Sequence, residues 1–293
     1  MQPQVIKSVQ EMRLRSAQLR QSGHRIAFVP TMGYLHEGHL SLVRKARDLA
    51  DVVVMSIFVN PAQFGPNEDI AAYPRDLARD KRLAASAGTD IIFSPSNAEM
   101  YPEGYQTSVL VKDVSQGLCG AFRPGHFEGV ATVVAKLFNI VRPHLAVFGE
   151  KDAQQAIVIQ RMVVDLNMDI DIVVAPIVRE HDGLAMSSRN EYLTADERRQ
   201  AAVLFESLRT AKELIAAGER DVDNVKTAMR TVISKASKSR IQYIEIADSI
   251  NLKPLGRIAG EFYVLLAVYI GKTRLIDNVK ISVPDKNIGQ NSH

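Results

Sequence analysis

The chain holds a single cysteine, Cys119, so it can form no intrachain disulfide, and nothing argues for an oxidising compartment. It has no long apolar run either. The longest, residues 262–270, is far too short to cross a bilayer and reads as a buried strand. Residues 1–10 carry no apolar signal segment. The formal charge is only +3, and basic residues are scattered among acidic ones, as on a solvated surface. That argues against nucleic acid as the main partner. There is no internal repeat and no Walker-type phosphate loop. A cytoplasmic protein that binds neither membrane nor nucleic acid is the expectation.

What is present is an ordinary globular composition, 46% hydrophobic and 24% charged, over 293 residues, enough for one large domain or two ordinary ones. Ser8 and Glu11 form a capping-box pattern, and the helix they open stops near Gly23. Short apolar runs then alternate with amphipathic ones. Strands are expected over residues 26–29, 51–59, 91–93, 145–148 and 172–178, and helices over 39–50, 76–87, 129–141 and 153–166. The nearly unbroken apolar content of 51–59 implies a strand covered on both faces. Such alternation means a parallel sheet, with ligands beyond the carboxyl ends of its strands. The pattern changes near residue 179. Thr194 and Glu197 make a second capping box, opening a helix to about Ala217, and residues 221–235 are again helical. Strands follow over 241–247, 262–270 and 279–283. The fold class is therefore α/β: a Rossmann-like parallel-sheet domain over 1–178, a smaller α+β domain over 179–283 and a polar, disordered tail over 284–293.

The segment Pro-Thr-Met-Gly-Tyr-Leu-His-Glu-Gly-His, residues 30–39, lies between a strand and a helix. It sets His36 and His39 where the helix begins, where unpaired N–H groups and the helix dipole favour anions. A helical zinc motif needs the second histidine one residue later, so metal ligation is disfavoured. Two ordinary surface histidines are the bland alternative. Gly149, Glu150, Lys151 and Asp152 form a second turn on the same sheet edge, with Gln155 one helical turn on. Lys151 suits phosphate charge, or is a solvated lysine. Asp152 suits ribose hydroxyls, or caps the next helix. Met186, Ser187, Ser188, Arg189 and Asn190 suit a loop that grips a triphosphate, or a serine-rich linker. Asn60 and Gln63 suit hydroxyl and carboxylate recognition, or a polar turn. Residues 123–127, with Arg123 and His126, place a cation near a carboxylate or form a surface loop.

The first segment resembles the HxGH motif of the nucleotidylyltransferase superfamily, carried by His36, Gly38 and His39. The third resembles a divergent KMSKS loop, with Ala185 and Arg189 where that motif has lysines. In order, VPTMGYLHEGH, SIFVNPAQF, YPR, RPGHF, FGEKDAQQ and DGLAMSSRN resemble the pantothenate synthetase (pantoate–β-alanine ligase) family from about Val29 to Leu193, and more weakly to Val283. Ala185 and Arg189 fit that branch.

The resemblance implies ATP-dependent joining of (R)-pantoate to β-alanine, with Mg²⁺, through an enzyme-bound pantoyl adenylate. Pantothenate, AMP and pyrophosphate are the products. It implies that Met32, Gly33, Tyr34, Leu35, His36, Glu37, Gly38 and His39 bind ATP, with His39 the general acid at the phosphates. Gly149, Glu150, Lys151 and Asp152 hold ribose and phosphate, and Val178 offers its backbone to adenine. Met186, Ser187, Ser188 and Arg189 close on the triphosphate. His36, His39, Lys151 and Arg189 are the expected catalytic set. Gln63 and Gln155 bind pantoate, Gln63 also lies near β-alanine, and Asn60 helps to position the substrate. The family pattern further implies a lid over residues 65–73, a C-terminal lid domain and a homodimer formed through the N-terminal domain. It gives no metal ligands. The rivals are another nucleotidylyltransferase, which has no need of the Gln63 and Gln155 amides, and a non-catalytic nucleotide- or RNA-binding protein derived from a synthetase.

Overall fold

A computed structural model describes residues 2–66, 68 and 70–284. The expected tail beyond Pro284, and Asn67 and Asp69 of the expected lid, lie outside the described residues. Contacts divide the chain into two compact units: Met1–Val178 with Met186–Ser188, and Arg179–Ala185 with Arg189–His293.

The first unit is built on β1 (Gln4–Ile6), β2 (Ile26–Thr31), β3 (Val52–Ile57), β4 (Ile91–Phe93), β5 (Leu145–Gly149) and β6 (Asp171–Ala175). All pair in parallel, in the order β1-β4-β3-β2-β5-β6. Its helices are α1 (Val9–Gln21), α2 (Glu37–Arg47), α3 (Leu77–Ala87), α4 (Asn97–Met100), α5 (Cys119–Phe122), α6 (His126–Val141) and α7 (Ala153–Asp165). Burial on both faces explains why these strands read as apolar runs. Ala27, Val29, Val53, Met55, Leu145 and Val147 pack with Leu40, Val43 and Ala46 of α2 and Ala84 of α3. Alternate residues face the other way, where Phe28 and Phe148 meet Phe138 of α6 edge-on.

Caps fix the helix starts. Ser8 accepts the Glu11 N–H, Asp76 the Arg79 N–H and Ser96 the Glu99 N–H. β1 was not expected. It is three residues long, and its partner is β4, where Gln4 pairs with Ile91. Strand β6 stops at Ala175, three residues short of the expected end.

The second unit carries β7 (Ser239–Asp248), β8 (Gly260–Ile270) and β9 (Thr273–Val283), an antiparallel sheet in that order. Against it lie α9 (Val203–Ala216) and α10 (Val222–Ile233), whose Leu204, Leu208, Val225 and Met229 share a core with Phe262, Val264 and Leu266. The Thr194–Glu197 capping box forms in full, but it opens only α8 (Ala195–Gln200). The single helix expected to Ala217 breaks after Gln200 and restarts as α9. Arg179 is held in this unit by a bidentate pair with the buried Asp277, at 2.6 and 2.9 Å, and by stacking on Phe205.

Candidate active site

The turn leaving β2 has two successive left-handed residues, Gly33 at φ 84° and Tyr34 at φ 50°. Gly33 has no room for a side chain, since a Cβ would sit 3.0 Å from both Asp80 Oδ2 and Ile57 Cγ2. Successive N–H groups in such a turn form a cup for an anion. Here the anion is internal. Asp80 of α3, which is buried, accepts the Tyr34 N–H at 2.8 Å and the Leu35 N–H at 2.7 Å. Gly33 donates to Thr31 Oγ1, which itself donates to the Ser56 carbonyl. The His36 N–H goes to His39 Nδ1 at 3.3 Å. The amides of Gly33, Tyr34, Leu35 and His36 are thus already engaged. What the turn offers a ligand is two imidazole rings and the N–H groups of Glu37 and Gly38, which by position in the first turn of α2 have no intrahelical partner.

The rings of His36 and His39 lie 4.1 Å apart. Gly38 makes this arrangement feasible, because a Cβ there would come within 2.9 Å of the His36 ring. A backbone N–H can only donate, so His39 Nδ1 accepts and the proton sits on Nε2. Burial above all, with His36 and Lys151 nearby, pushes His39 well below the ordinary histidine range. At neutral pH this ring is an uncharged Nε2–H donor.

Lys151, which bears on His39 electrostatically, lies in a 3₁₀ turn, Glu150–Asp152, at the end of β5. Asp152 precedes α7 but makes no capping hydrogen bond with its side chain. It lies 3.8 Å from the Lys151 ammonium instead. Gln154 is structural: its amide ties down the Cys119 N–H and the Val114 and Gly117 carbonyls. Gln155, one residue on, is half-buried.

Asn60 and Gln63 meet at the end of β3. The Asn60 amide is fully engaged: it donates to Gln63 Oε1 and the Gly129 carbonyl, each at 3.1 Å, and accepts from Tyr101 Oη at 2.7 Å and the Ala62 N–H. It therefore orients Gln63 rather than presenting its own amide. Gln63 Nε2 reaches the Met32 sulfur at 3.2 Å, which joins the ends of β2 and β3.

His126, in the segment read as a cation site or a surface loop, is buried and donates from Nδ1 to the Gln63 carbonyl at 2.8 Å. Its Nε2 accepts from Arg123, which forks onto Glu68 at 2.6 and 2.7 Å. The cation expected near a carboxylate is thus Arg123 with Glu68. Burial, then the Arg123 charge, lowers His126 from 6.5 to about 4. The unfolded ring takes its proton first as pH falls, so stability is full above pH 6.5 and declines between pH 6.5 and about 4. The expected loss is about 3 kcal/mol. A His126→Asn variant keeps the donor to Gln63 and removes the titration. Urea unfolding across that range should show a flatter slope for it, and an unchanged slope would assign the acid sensitivity elsewhere.

Met186 and Ser188 belong to the same unit as the histidines. The Met186 Cβ lies 3.7 Å from where a Gly38 Cβ would be, and Ser188 Oγ reaches the Tyr34 carbonyl at 3.5 Å. Met186 N–H also bonds the Val178 carbonyl at 3.0 Å, fixing Val178 beside this segment. Ser187 lies between them and is half-buried. Arg189 falls in the second unit. Among the described residues no three His, Cys, Asp or Glu side chains come together to hold a metal ion, and no helix is long and apolar enough to cross a membrane.

A family model described as pantoate-beta-alanine ligase matches residues 4–280. A pantothenate synthetase of Moorella thermoacetica is 56% identical over 282 residues, which cover 96% of this chain and 100% of that protein. One from Caldicellulosiruptor saccharolyticus is 54% identical, covering 95% and 99%. Among solved structures, pantothenate synthetase from Thermus thermophilus superposes with a TM-score of 0.90 at 45% identity, covering 94% of this chain and 98% of that one. A pantoate-beta-alanine ligase from Francisella tularensis, solved as a complex with beta-gamma ATP and beta-alanine, gives 0.78 at 35% identity, covering 94% and 97%.

Proposed function

Because the chain belongs to the pantoate–β-alanine ligase family, we propose that the carboxyl edge of its six-stranded sheet is where (R)-pantoate is activated by ATP and passed to β-alanine. The pantoate carboxylate attacks the α-phosphorus and pyrophosphate leaves. The β-alanine amine then attacks the acyl carbon of the adenylate and AMP leaves, giving pantothenate. Catalysis of the first step is mainly the stabilisation of phosphate charge as it moves toward pyrophosphate.

The observation that carries this reading is the gathering of phosphate-type and amide-type groups at neighbouring strand ends. His39 offers a neutral Nε2–H beside His36 and within the electrostatic reach of Lys151. Its donor is available throughout the neutral range, so it acts as a hydrogen-bond donor to a phosphate oxygen rather than as an imidazolium acid. Glu37 and Gly38 add the N–H groups at the start of α2. Lys151 takes phosphate charge. Asp152, free of any capping role, takes ribose hydroxyls, and Glu150 and Gly149 complete that turn. Val178 lines the adenine side, and Met186, Ser187, Ser188 and Arg189 close on the triphosphate. Gln63 and Gln155 hold pantoate, with Asn60 orienting Gln63. Mg²⁺ would supply further neutralisation of phosphate charge beside Lys151. A cytoplasmic location and a homodimer through the N-terminal domain belong to the same proposal.

A single-turnover assay tests it. Pyrophosphate should be released from ATP when pantoate is present and β-alanine is absent, and not when pantoate is omitted. Release that waits for β-alanine would remove the adenylate from the mechanism.

A further inference from the structure

We propose that Arg79 and Asp80, at the start of α3, are positioning residues for the adenylation step, clamping the turn at residues 33–35 so that His39 presents its Nε2–H. This rests on the reading of His39 given above. Neither residue touches the histidines. Their effect runs through the backbone.

A turn with a non-glycine residue at positive φ costs about 1–2 kcal/mol and persists only where its surroundings hold it. Tyr34 is such a residue. Asp80 holds it with both carboxylate oxygens, one on each of two successive N–H groups. Arg79 holds the peptide that follows, Leu35–His36. It donates to the Leu35 carbonyl at 2.9 Å and lies 5.0 Å from the centre of the Tyr34 ring. The pair thus grips Leu35 by its N–H and by its C=O. The Leu35 carbonyl and the His36 N–H belong to one peptide, so Arg79 holds the very unit whose N–H sets the tautomer of His39. A shift of the 33–35 backbone therefore carries the His36 N–H away from Nδ1 and frees His39 to protonate at either nitrogen.

The clamp also has an inlet. The Asp76 cap of α3 accepts the Arg79 N–H, and Arg75 donates to the Tyr73 and Ile70 carbonyls. A cavity of about 280 Å³ lies between these residues and the turn, lined in part by Met32, Tyr34, Phe58, Ile70, Arg75 and Asp80. The segment that the family pattern makes a lid runs directly into the clamp.

Asp80→Asn is the informative variant. One oxygen can still accept, but the amide NH₂ faces the second N–H. The expected result is pantoate-dependent pyrophosphate release slowed about 10–100-fold, with the KM for pantoate nearly unchanged. Nitrogen NMR of labelled histidine, with His39 assigned through His39→Gln, should show a mixture of tautomers in place of Nε2–H alone. Arg79→Lys keeps the charge but loses the guanidinium that donates to the Leu35 carbonyl and lies over the Tyr34 ring, and should shift the tautomer in the same direction by less. This milder variant serves if Asp80→Asn fails to fold. A wild-type rate and an unchanged His39 signal in a folded variant would overturn the proposal. So would a rate loss that follows melting temperature while the His39 signal stays put. If the wild-type chain itself shows no pantoate-dependent release, the reaction assignment fails, and the NMR comparison still decides whether the clamp sets the ring.

Discussion

Replacing His39 with alanine should slow single-turnover pyrophosphate release by about 10²–10⁴-fold while leaving the melting temperature close to that of the parent. His39 is the third residue of α2 and is not a member of the apolar cluster that anchors that helix. Its loss removes one uncharged donor and the acceptor for the His36 N–H. Helix α2 remains anchored by Leu40, Val43 and Ala46. Lys151→Ala removes a charge from the same locality and should fall in the same range. His39→Gln retains an N–H donor on a longer, floppier arm and should lose less. Because burial already keeps the ring neutral well below pH 6.5, the His39 donor does not titrate in the neutral range. Wild-type rates in His39→Ala, or a loss that scales with unfolding, would take His39 out of the chemistry.

Gly129→Ala should be among the most damaging single-methyl changes in the first unit, costing about 3 kcal/mol or more. An added Cβ would lie 2.2 Å from the Ala62 carbonyl oxygen and 2.7 Å from the Gln63 Cα. Those are backbone atoms, which cannot swing aside as a side chain can. Helix α6 would have to back away from the turn Pro61–Gln63. Two contacts that hold that turn would then be lost, Asn60 to the Gly129 carbonyl and His126 to the Gln63 carbonyl. The KM for pantoate should rise along with the instability, because Gln63 is carried by that turn. Gly117→Ala is the control, since its Cβ would meet nothing within 4 Å. Thermal melts of both variants decide: equal melting temperatures would show that the close approach of α6 is not needed.

Much of this was readable in the chain because burial writes itself into apolar pattern. The body of 51–59 became β3, residues 91–93 became β4 as expected, and the caps at Ser8 and Thr194 formed. The histidine turn was visible from its position between strand and helix. Asp80 was not. In sequence it is one more polar residue on an amphipathic helix, and only the packing of α3 against the turn reveals that it fills the anion cup from inside. Hence the sequence could not tell that the amides of Gly33, Tyr34 and Leu35, expected in the ATP site, are already engaged within the chain. The partners of Asn60 were hidden for a related reason, since residue type does not tell whether an amide faces a ligand or its neighbours. The break between α8 and α9 carries no glycine or proline to announce it, and β1 is too short to show a period.

Strand β1 is synthesised before its partner β4, and the register needs Ile91, Ile92 and Phe93. Central β2 can meet β3 early, but its other neighbour, β5, begins only at Leu145. At about 5–20 residues per second, β1 must wait several seconds until the edge it will complete has been synthesised. The sheet closes by long-range pairings at both sides of a locally formed pair, an order of assembly that is slow for its size. In the finished protein, the same late-docking strand covers the far edge of β4, which would otherwise offer its open backbone to a neighbouring chain.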